Sequence, residues 1–231
     1  MTAIEQPRTK HQHADLIWGD KGTPISARFD DPYFSLTDGA AETSHVFLAG
    51  NDLPDRLAPG FQIAELGFGT GLNLVVLASV TPEDCPIQFT SFEAFPMTGA
   101  QAARALSALG NAIANEDHCD AICRALDKGD DRFQVGSIAV ELILGDANQC
   151  LKDWNGVADA WFLDGFSPAK NPEMWYPDLM LSVASHTKTG GTFATFTAAG
   201  AVRRSLSEAG FQVERLPGYG RKRHMTRGTK L

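Results

Sequence analysis

Four acids are spaced along this 231-residue chain so that each can stand at a strand end: Glu65, Glu93, Asp146 and Asp164. Glu65 lies two residues before the turn Gly67-Phe68-Gly69-Thr70-Gly71, which Leu72 and Asn73 continue. Glycines carry no Cβ, so such a turn is sharp and its backbone can approach a ligand closely. The spacing departs from the dinucleotide fingerprint, which needs glycine where Leu72 stands, and no phosphate-binding lysine follows. Glu93 comes 22 residues after Gly71, where an acid can accept hydrogen bonds from ribose hydroxyls. Asp146, with Ala147 after it, is placed to take the exocyclic amine of an adenine. Asp164 opens the loop Asp164-Gly165-Phe166-Ser167-Pro168-Ala169-Lys170-Asn171-Pro172. An acid there attracts an aliphatic ammonium, orients it, and accepts or relays the proton that must leave before nitrogen can attack. With an ordinary carboxylate pKa, orientation is the larger part of that role. The aromatic face of Phe166 and the rigid prolines, Pro168 among them, would wall the reacting path. The plainer alternatives are a glycine turn that only packs helix on strand, and an Asp164 that only caps a loop.

Acids become a site only if a frame sets strand ends side by side. Residues 61–66 read as a buried strand and 72–80 as a helix, the opening unit of a nucleotide-binding α/β domain. Further strands are expected at 87–93, 138–144, 158–163 and 191–197. Helices are expected at 97–109, 173–186 and 198–209, with a short one through 147–153. Pro96 and Pro172 mark helix starts. Residues 110–138 form a weakly patterned insert, helical over 120–126. The turn Pro217-Gly218-Tyr219-Gly220 cannot hold a crossover helix, so 211–216 and 222–226 should pair antiparallel. Ahead of the first long strand, 1–13 are polar and expected to lack order. Residues 14–37 read as short strands and turns, and 39–50 as a helix. We divide the chain into an N-terminal extension, 1–58, covering one rim of the site, and a nucleotide-binding domain, 59–231. Tyr33, Phe34 and His45 are candidates to line that rim, with core packing an equal alternative for each.

The pattern E-x-G-x-G-T-G resembles that of S-adenosyl-L-methionine (SAM) methyltransferases. SAM has no pyrophosphate; its amino-acid moiety suits a bare glycine backbone with an acid near it. The resemblance implies a Rossmann-like class I α/β fold: a seven-stranded, mostly parallel sheet with an antiparallel C-terminal strand, not the six parallel strands of a dehydrogenase. It puts cofactor contacts at Glu65, Gly67, Gly69, Gly71, Asn73, Glu93, Asp146, Ala147 and Asp164. The loop at Asp164 is similar to the D-P-P-Y type loop of amino-group methyltransferases, which makes Asp164, Phe166 and Pro168 the catalytic candidates.

Net charge is −8, which argues at first against a nucleic-acid partner. The distribution argues the other way. Residues 200–231 carry eight Lys and Arg against two Glu, a net +6, which leaves −14 on residues 1–199. A basic end on an acidic body suits a local polyanion contact. No apolar run reaches the roughly 18 residues that a membrane span needs. The N-terminus does not read as a signal peptide. Cys85, Cys119, Cys123 and Cys150 form no C-x-x-C pair and read as free thiols in a reducing cytoplasm, with neither a disulfide nor a metal expected.

Asp164 to Pro172, continued by Glu173-Met174-Trp175, closely resembles the signature of the tRNA 5-methylaminomethyl-2-thiouridine methyltransferases. That family includes the N-terminal half of bifunctional MnmC and its stand-alone MnmD relatives. Asp30-Asp31-Pro32-Tyr33-Phe34-Ser35, Glu42-Thr43-Ser44-His45-Val46-Phe47-Leu48, Ser91-Phe92-Glu93 and Gly218-Tyr219-Gly220-Arg221-Lys222-Arg223-His224-Met225 resemble its other blocks, and the likeness runs over almost the whole chain. It implies methylation of the primary amine of 5-aminomethyl-(2-thio)uridine at the tRNA wobble position, with SAM as donor and the anticodon arm as partner. It also implies no FAD in this chain, with a separate FAD-dependent oxidase upstream as one source of the amine. Substrate contacts are then expected at Tyr33, at Lys170 and Asn171 on the uridine edge, and at Arg203, Arg204, Arg221, Lys222 and Arg223 on phosphates. Trp175 could stack on a flipped base or pack in the core. A SAM enzyme acting on a small-molecule or protein amine is the second reading. A SAM-binding module without turnover is a third, and a nicotinamide oxidoreductase, weakened by Leu72, a remote fourth.

Overall fold

The structure is a computed structural model that describes residues 12–35, 38–110 and 115–231. The expected unordered start therefore lies, for residues 1–11, outside the described residues. A small antiparallel sheet comes first, made of β1 (Leu16–Trp18), β2 (Pro24–Ser26) and β3 (Asp31–Pro32). The helical stretch that follows is α1 (Gly39–Thr43), a π-helical turn (Ser44–Leu48) and a 3-10 turn (Ala49–Asn51). Asp38 caps it, accepting a hydrogen bond from the Ala41 N–H at 2.9 Å. Its far end is stitched to the main sheet. The buried Asn51 amide donates to the carbonyls of Phe47 at 2.9 Å and Trp161 at 3.2 Å, and accepts from the Thr192 hydroxyl at 2.6 Å.

The main body runs β4 (Gln62–Leu66), α2 (Leu72–Val80), β5 (Ile87–Glu93), α3 (Gly99–Ser107), α4 (Glu116–Lys128), β6 (Arg132–Val135), β7 (Ile138–Leu144), α5 (Ala147–Asp153) and β8 (Ala158–Leu163). It closes with a 3-10 turn (Pro172–Trp175), α6 (Pro177–Ser185), β9 (Thr187–Thr195), α7 (Gly200–Glu208), β10 (Phe211–Pro217) and β11 (His224–Lys230). The sheet order is β10-β11-β9-β8-β4-β5-β7-β6. Its five central strands, β9-β8-β4-β5-β7, are parallel, and β11 runs antiparallel to both β9 and β10. The central strands are buried on both faces: along β4, Ile63 joins one core, and Ala64 and Leu66 the other. The chain leaves β4 toward β5 on one side and returns at β8 on the other. The C-terminal edge between β4 and β8 is thus the topological switch point, where open α/β sheets bind ligands. Among the described residues no helix is long and apolar enough to cross a membrane.

This is the Rossmann-like fold expected, with one strand more than the seven. β6 and β7 form a hairpin in which Val135 pairs with Ile138 across the two-residue turn Gly136-Ser137. β6 is four residues long with two of them exposed, so its signal was short and half polar. The helix expected at 120–126 extends over Glu116–Lys128, capped by the Asn115 side chain and ended by Gly129 in the left-handed region. The helix expected at 173–186 is split. Pro172 starts the 3-10 turn and Pro177 starts α6, because the residue before a proline is driven out of helical geometry.

Candidate active site

The ends of β4 and β8 meet at Gly67 and Asp164. The Asp164 N–H donates to the Leu66 carbonyl at 3.1 Å, and the Gly67 N–H to the Phe92 carbonyl at 2.9 Å. Gly67 has φ +90°, and a Cβ placed on it would run into the Asp164 carbonyl oxygen. The first glycine of the turn therefore lets two strand ends close on each other. Beside this junction opens a cavity of about 290 Å³, near the lower bound of roughly 300 Å³ for small-ligand sites.

Eleven of the residues singled out from sequence line it: Tyr33, Phe34, Gly67, Gly69, Asn73, Glu93, Ala147, Asp164, Phe166, Asn171 and Lys222. Phe166 forms its aromatic wall, stacked on Phe29 with centroids 4.8 Å apart and edge-on to Tyr33 at 4.9 Å. Glu93 ends β5 and turns back: its carboxylate accepts from the Gly69 N–H at 2.9 Å and the Phe95 N–H at 2.7 Å. Burial pushes this carboxyl up, and the hydrogen bonds from Gly69 and Phe95 hold it down. Burial, then the charge of Glu93, pushes the Tyr33 phenol up.

Asn73 joins two acids. Its Nδ2 donates to Glu65 Oε1 at 2.8 Å and to Asp164 Oδ2 at 2.7 Å, while its Oδ1 accepts from the Thr43 hydroxyl at 2.9 Å. With Nδ2 turned to the two acids, both N–H groups meet carboxyl oxygens and Oδ1 is left to the Thr43 hydroxyl. Burial pushes Asp164 up to about 7, opposed by the Asn73 hydrogen bond and the Lys222 charge. An acid in that range takes a proton near neutrality, so Asp164 is a better base than its residue type alone suggested.

Several expectations are corrected. Glu65 is 1 % exposed and sits behind the cavity wall, bonded to Asn73 and to the Ser91 hydroxyl at 2.7 Å; it lies within β4 rather than past its end, so it braces Asn73 instead of facing a ligand. Gly71 is the residue before α2, and its Cα faces Ile122 and Phe68, not the cavity. Asp146 is exposed and caps α5, accepting from the Asn148 N–H at 2.7 Å. Pro168 is not among the lining residues. Lys170 is not among the lining residues and forms an exposed ion pair with Asp30. Trp175 is 6 % exposed, with Nε1 donating to the Phe166 carbonyl at 2.8 Å and its ring edge-on to Phe196; a ring enclosed in that way braces the loop and offers no face to a base. His45 also misses the cavity and bonds the Pro217 carbonyl at 3.1 Å. Lys222 lines the cavity with its Nζ 2.8 Å from Glu42 although its side chain is 46 % exposed; Arg204, Arg221 and Arg223 are exposed away from the cavity lining and Arg203 is half-buried on α7.

Phe29, Glu42 and Phe196 line the cavity without having been assigned there. Glu42 opens one of the family-like blocks, but its partner Lys222 is 180 residues away in sequence, and no local pattern announces that pairing.

The buried Glu65 gives a stability test. Burial pushes Glu65 up to about 8, against hydrogen bonds from Ser91 and Asn73, from an ordinary value of 4.5. Between those values the folded chain holds a proton that the unfolded chain has lost, so stability falls as pH rises through that window. In Glu65→Gln the Glu65 part of that slope should be lost, leaving the part due to Asp164, whose carboxyl lies at about 7. The variant's melting temperature should match wild type near pH 4, pull ahead as pH rises, and level off above about pH 8. Thermal melts across that range check it; a gap independent of pH would exclude Glu65 titration as the cause.

Residues 115–231 match a family model described as S-adenosyl-L-methionine-dependent methyltransferase. The chain is 43 % identical over 228 residues to the tRNA 5-methylaminomethyl-2-thiouridine biosynthesis bifunctional protein MnmC of Stutzerimonas stutzeri, covering 94 % of this chain and 34 % of that protein. It is 46 % identical over 223 residues to the MnmC of a Caulobacter species, covering 90 % and 37 %. The chain thus spans about a third of the length of these curated relatives. Among solved structures, MNMC2 from Aquifex aeolicus is similar with a TM-score of 0.72 at 26 % identity, over 95 % of this chain and 71 % of that one. A precorrin-6y C5,15-methyltransferase from Geobacter metallireducens, at TM-score 0.50 and 14 % identity over 92 % and 98 %, shares the fold alone.

Proposed function

The chain belongs to the family of S-adenosyl-L-methionine-dependent methyltransferases related to MnmC, and from that premise we propose that it methylates the amine of 5-aminomethyl-(2-thio)uridine at the wobble position of tRNA. The product would be 5-methylaminomethyl-(2-thio)uridine. The observation that carries this reading is Asp164: a carboxyl held at about 7 on the wall of an acidic, aromatic-lined cavity, suited to taking a proton from a cationic amine.

The donor set fits SAM. Glu93, aimed into the cavity, would take ribose hydroxyls; the backbone of Gly67 and Gly69 would accommodate the amino-acid end; Phe92, Phe95 and Ala147 supply apolar surface for an adenine. When bound, SAM supplies a methyl group on a sulfonium, so that the new N–C bond forms as the C–S bond breaks and its electron pair stays on sulfur. Before that, Asp164 accepts a proton from the ammonium, leaving the nitrogen lone pair free. Phe166, stacked on Phe29, limits water at the reacting nitrogen. In the same proposal, residues 1–58 cover the rim of a domain spanning 59–231, supported by the cavity-lining positions of Phe29, Tyr33 and Glu42. A separate FAD-dependent oxidase is one source of the amine, and the cytoplasm, where tRNA is modified, is the proposed location.

The test is methyl transfer from labelled SAM to tRNA carrying 5-aminomethyl-uridine, with nucleoside analysis of the product. Label in 5-methylaminomethyl-uridine supports the reading; label in small amines or protein instead replaces it. With the same assay, Arg221→Ala/Arg223→Ala should raise KM for tRNA and reduce the slope of log KM against log salt by about one to two. An unchanged slope would take the exposed hairpin turn out of the tRNA path.

A further inference from the structure

Lys222 sits in the turn between β10 and β11, in a run of three cationic residues; its side chain is 46 % exposed, yet it alone of the three lines the cavity. Its Nζ lies 2.8 Å from Oε1 of Glu42 on α1 and 4.2 Å from the ring centroid of Phe196, one residue past β9. All three residues line the cavity that contains Asp164. Glu42 is 8 % exposed, so the ion pair is anchored at its acidic end by the protein. The aromatic face of Phe196 steadies the ammonium from another side.

We propose that Lys222, paired with Glu42, is a positioning residue for methyl transfer, whose ammonium favours the ionised form of Asp164 and the loss of the incoming amine's proton. The proposal rests on the amine-methylating reading above. Its physical reason is the surplus of acid around the site. Asp164 is faced by Glu42 from α1 and Glu65 from β4, with Asn73 of α2 between the two strand acids and Glu93 across the cavity. Acids alone would hold an incoming amine as its ammonium, which has no lone pair. They would also hold Asp164 protonated and unable to accept. A fixed cation opposes both effects, as like charge beside an amine does. Lys222 draws the Asp164 carboxyl down while Glu42 pushes it up. The proton then passes from the ammonium nitrogen to Asp164, leaving the pair on nitrogen.

The experiment reads Asp164 directly and needs neither SAM nor tRNA. Protein labelled with ¹³C at aspartate carboxyls is titrated by NMR, the Asp164 resonance being the one absent from Asp164→Asn. Lys222→Met should raise its midpoint by about one pH unit or more. The rising limb of kcat for tRNA should move with it, so that the rate on the limb drops about tenfold per unit. Glu42→Gln/Lys222→Met leaves no buried carboxylate unpaired and guards against a folding failure; it should raise the midpoint by less. Lys222→Arg keeps the charge and should hold the midpoint near wild type. A midpoint unmoved in both Lys222→Met and the double variant overturns the proposal, as does a kcat loss equal at every pH. A wild-type protein that leaves tRNA unmethylated overturns the substrate reading instead, while the titration still decides the role of Lys222.

Discussion

Asp164→Asn is expected to lower turnover by about 10²- to 10⁴-fold, the range for loss of a positioned proton acceptor, while SAM still binds. The replacement keeps the shape of the side chain and an oxygen that can accept from Asn73 Nδ2, now 2.7 Å from Oδ2. It removes the ability to take a proton. The pH profile separates that loss from misfolding. Asp164 must be ionised to act, and its carboxyl lies at about 7. The wild-type rate should therefore climb about tenfold per unit below that value and flatten above it, and the variant should lose this limb. Stopped assays of labelled methyl transfer, paired with SAM titration by calorimetry, measure both quantities. Lost SAM affinity with intact turnover of the bound complex would make Asp164 a cofactor contact and not a base.

Gly67→Ala is expected to remove SAM binding and lower stability by more than about 3 kcal/mol, a large part of the roughly 5–15 kcal/mol that holds a domain folded. Two costs combine. At φ +90° an L side chain is strained, and the new Cβ would collide with the Asp164 carbonyl oxygen, which belongs to backbone and cannot swing aside. Relief requires β4 and β8 to part at their ends, which opens the hydrogen bond from the Asp164 N–H to the Leu66 carbonyl and displaces Asp164 from Asn73. Gly60→Ala is the matched control: its φ is +82° and nothing lies within 4 Å of a Cβ there, so it bears the conformational cost alone. Thermal melts and SAM titrations of both variants give the comparison. A Gly67→Ala protein that melts with Gly60→Ala and binds SAM normally would refute the strand-junction account.

Placement of a side chain depends on its strand end in a way that one-dimensional spacing reads only in part. Glu93 and Asp164 were legible as cavity-lining acids because one is the last residue of β5 and the other the first beyond β8. Glu65, two residues earlier relative to its glycine turn, remains inside β4 and is enclosed by neighbours on both sides. Asp146 lies two residues past β7, far enough to be captured by the first N–H groups of α5. A shift of one or two residues thus separates a lining acid, a buried brace and a helix cap.

By itself the sequence determined the alternation of strands and helices, the glycine turn, the antiparallel C-terminal pair and the loop opened by Asp164, since each is written in neighbouring residues as period, turn chemistry or motif. Tertiary structure alone decided that Trp175 is closed off beneath Phe166, that Asn73 ties Glu65 to Asp164, and that Lys222 pairs with Glu42. Those outcomes turn on side-chain direction and on partners from distant segments, and both are settled only when the sheet, its crossover helices and the N-terminal stretch pack together.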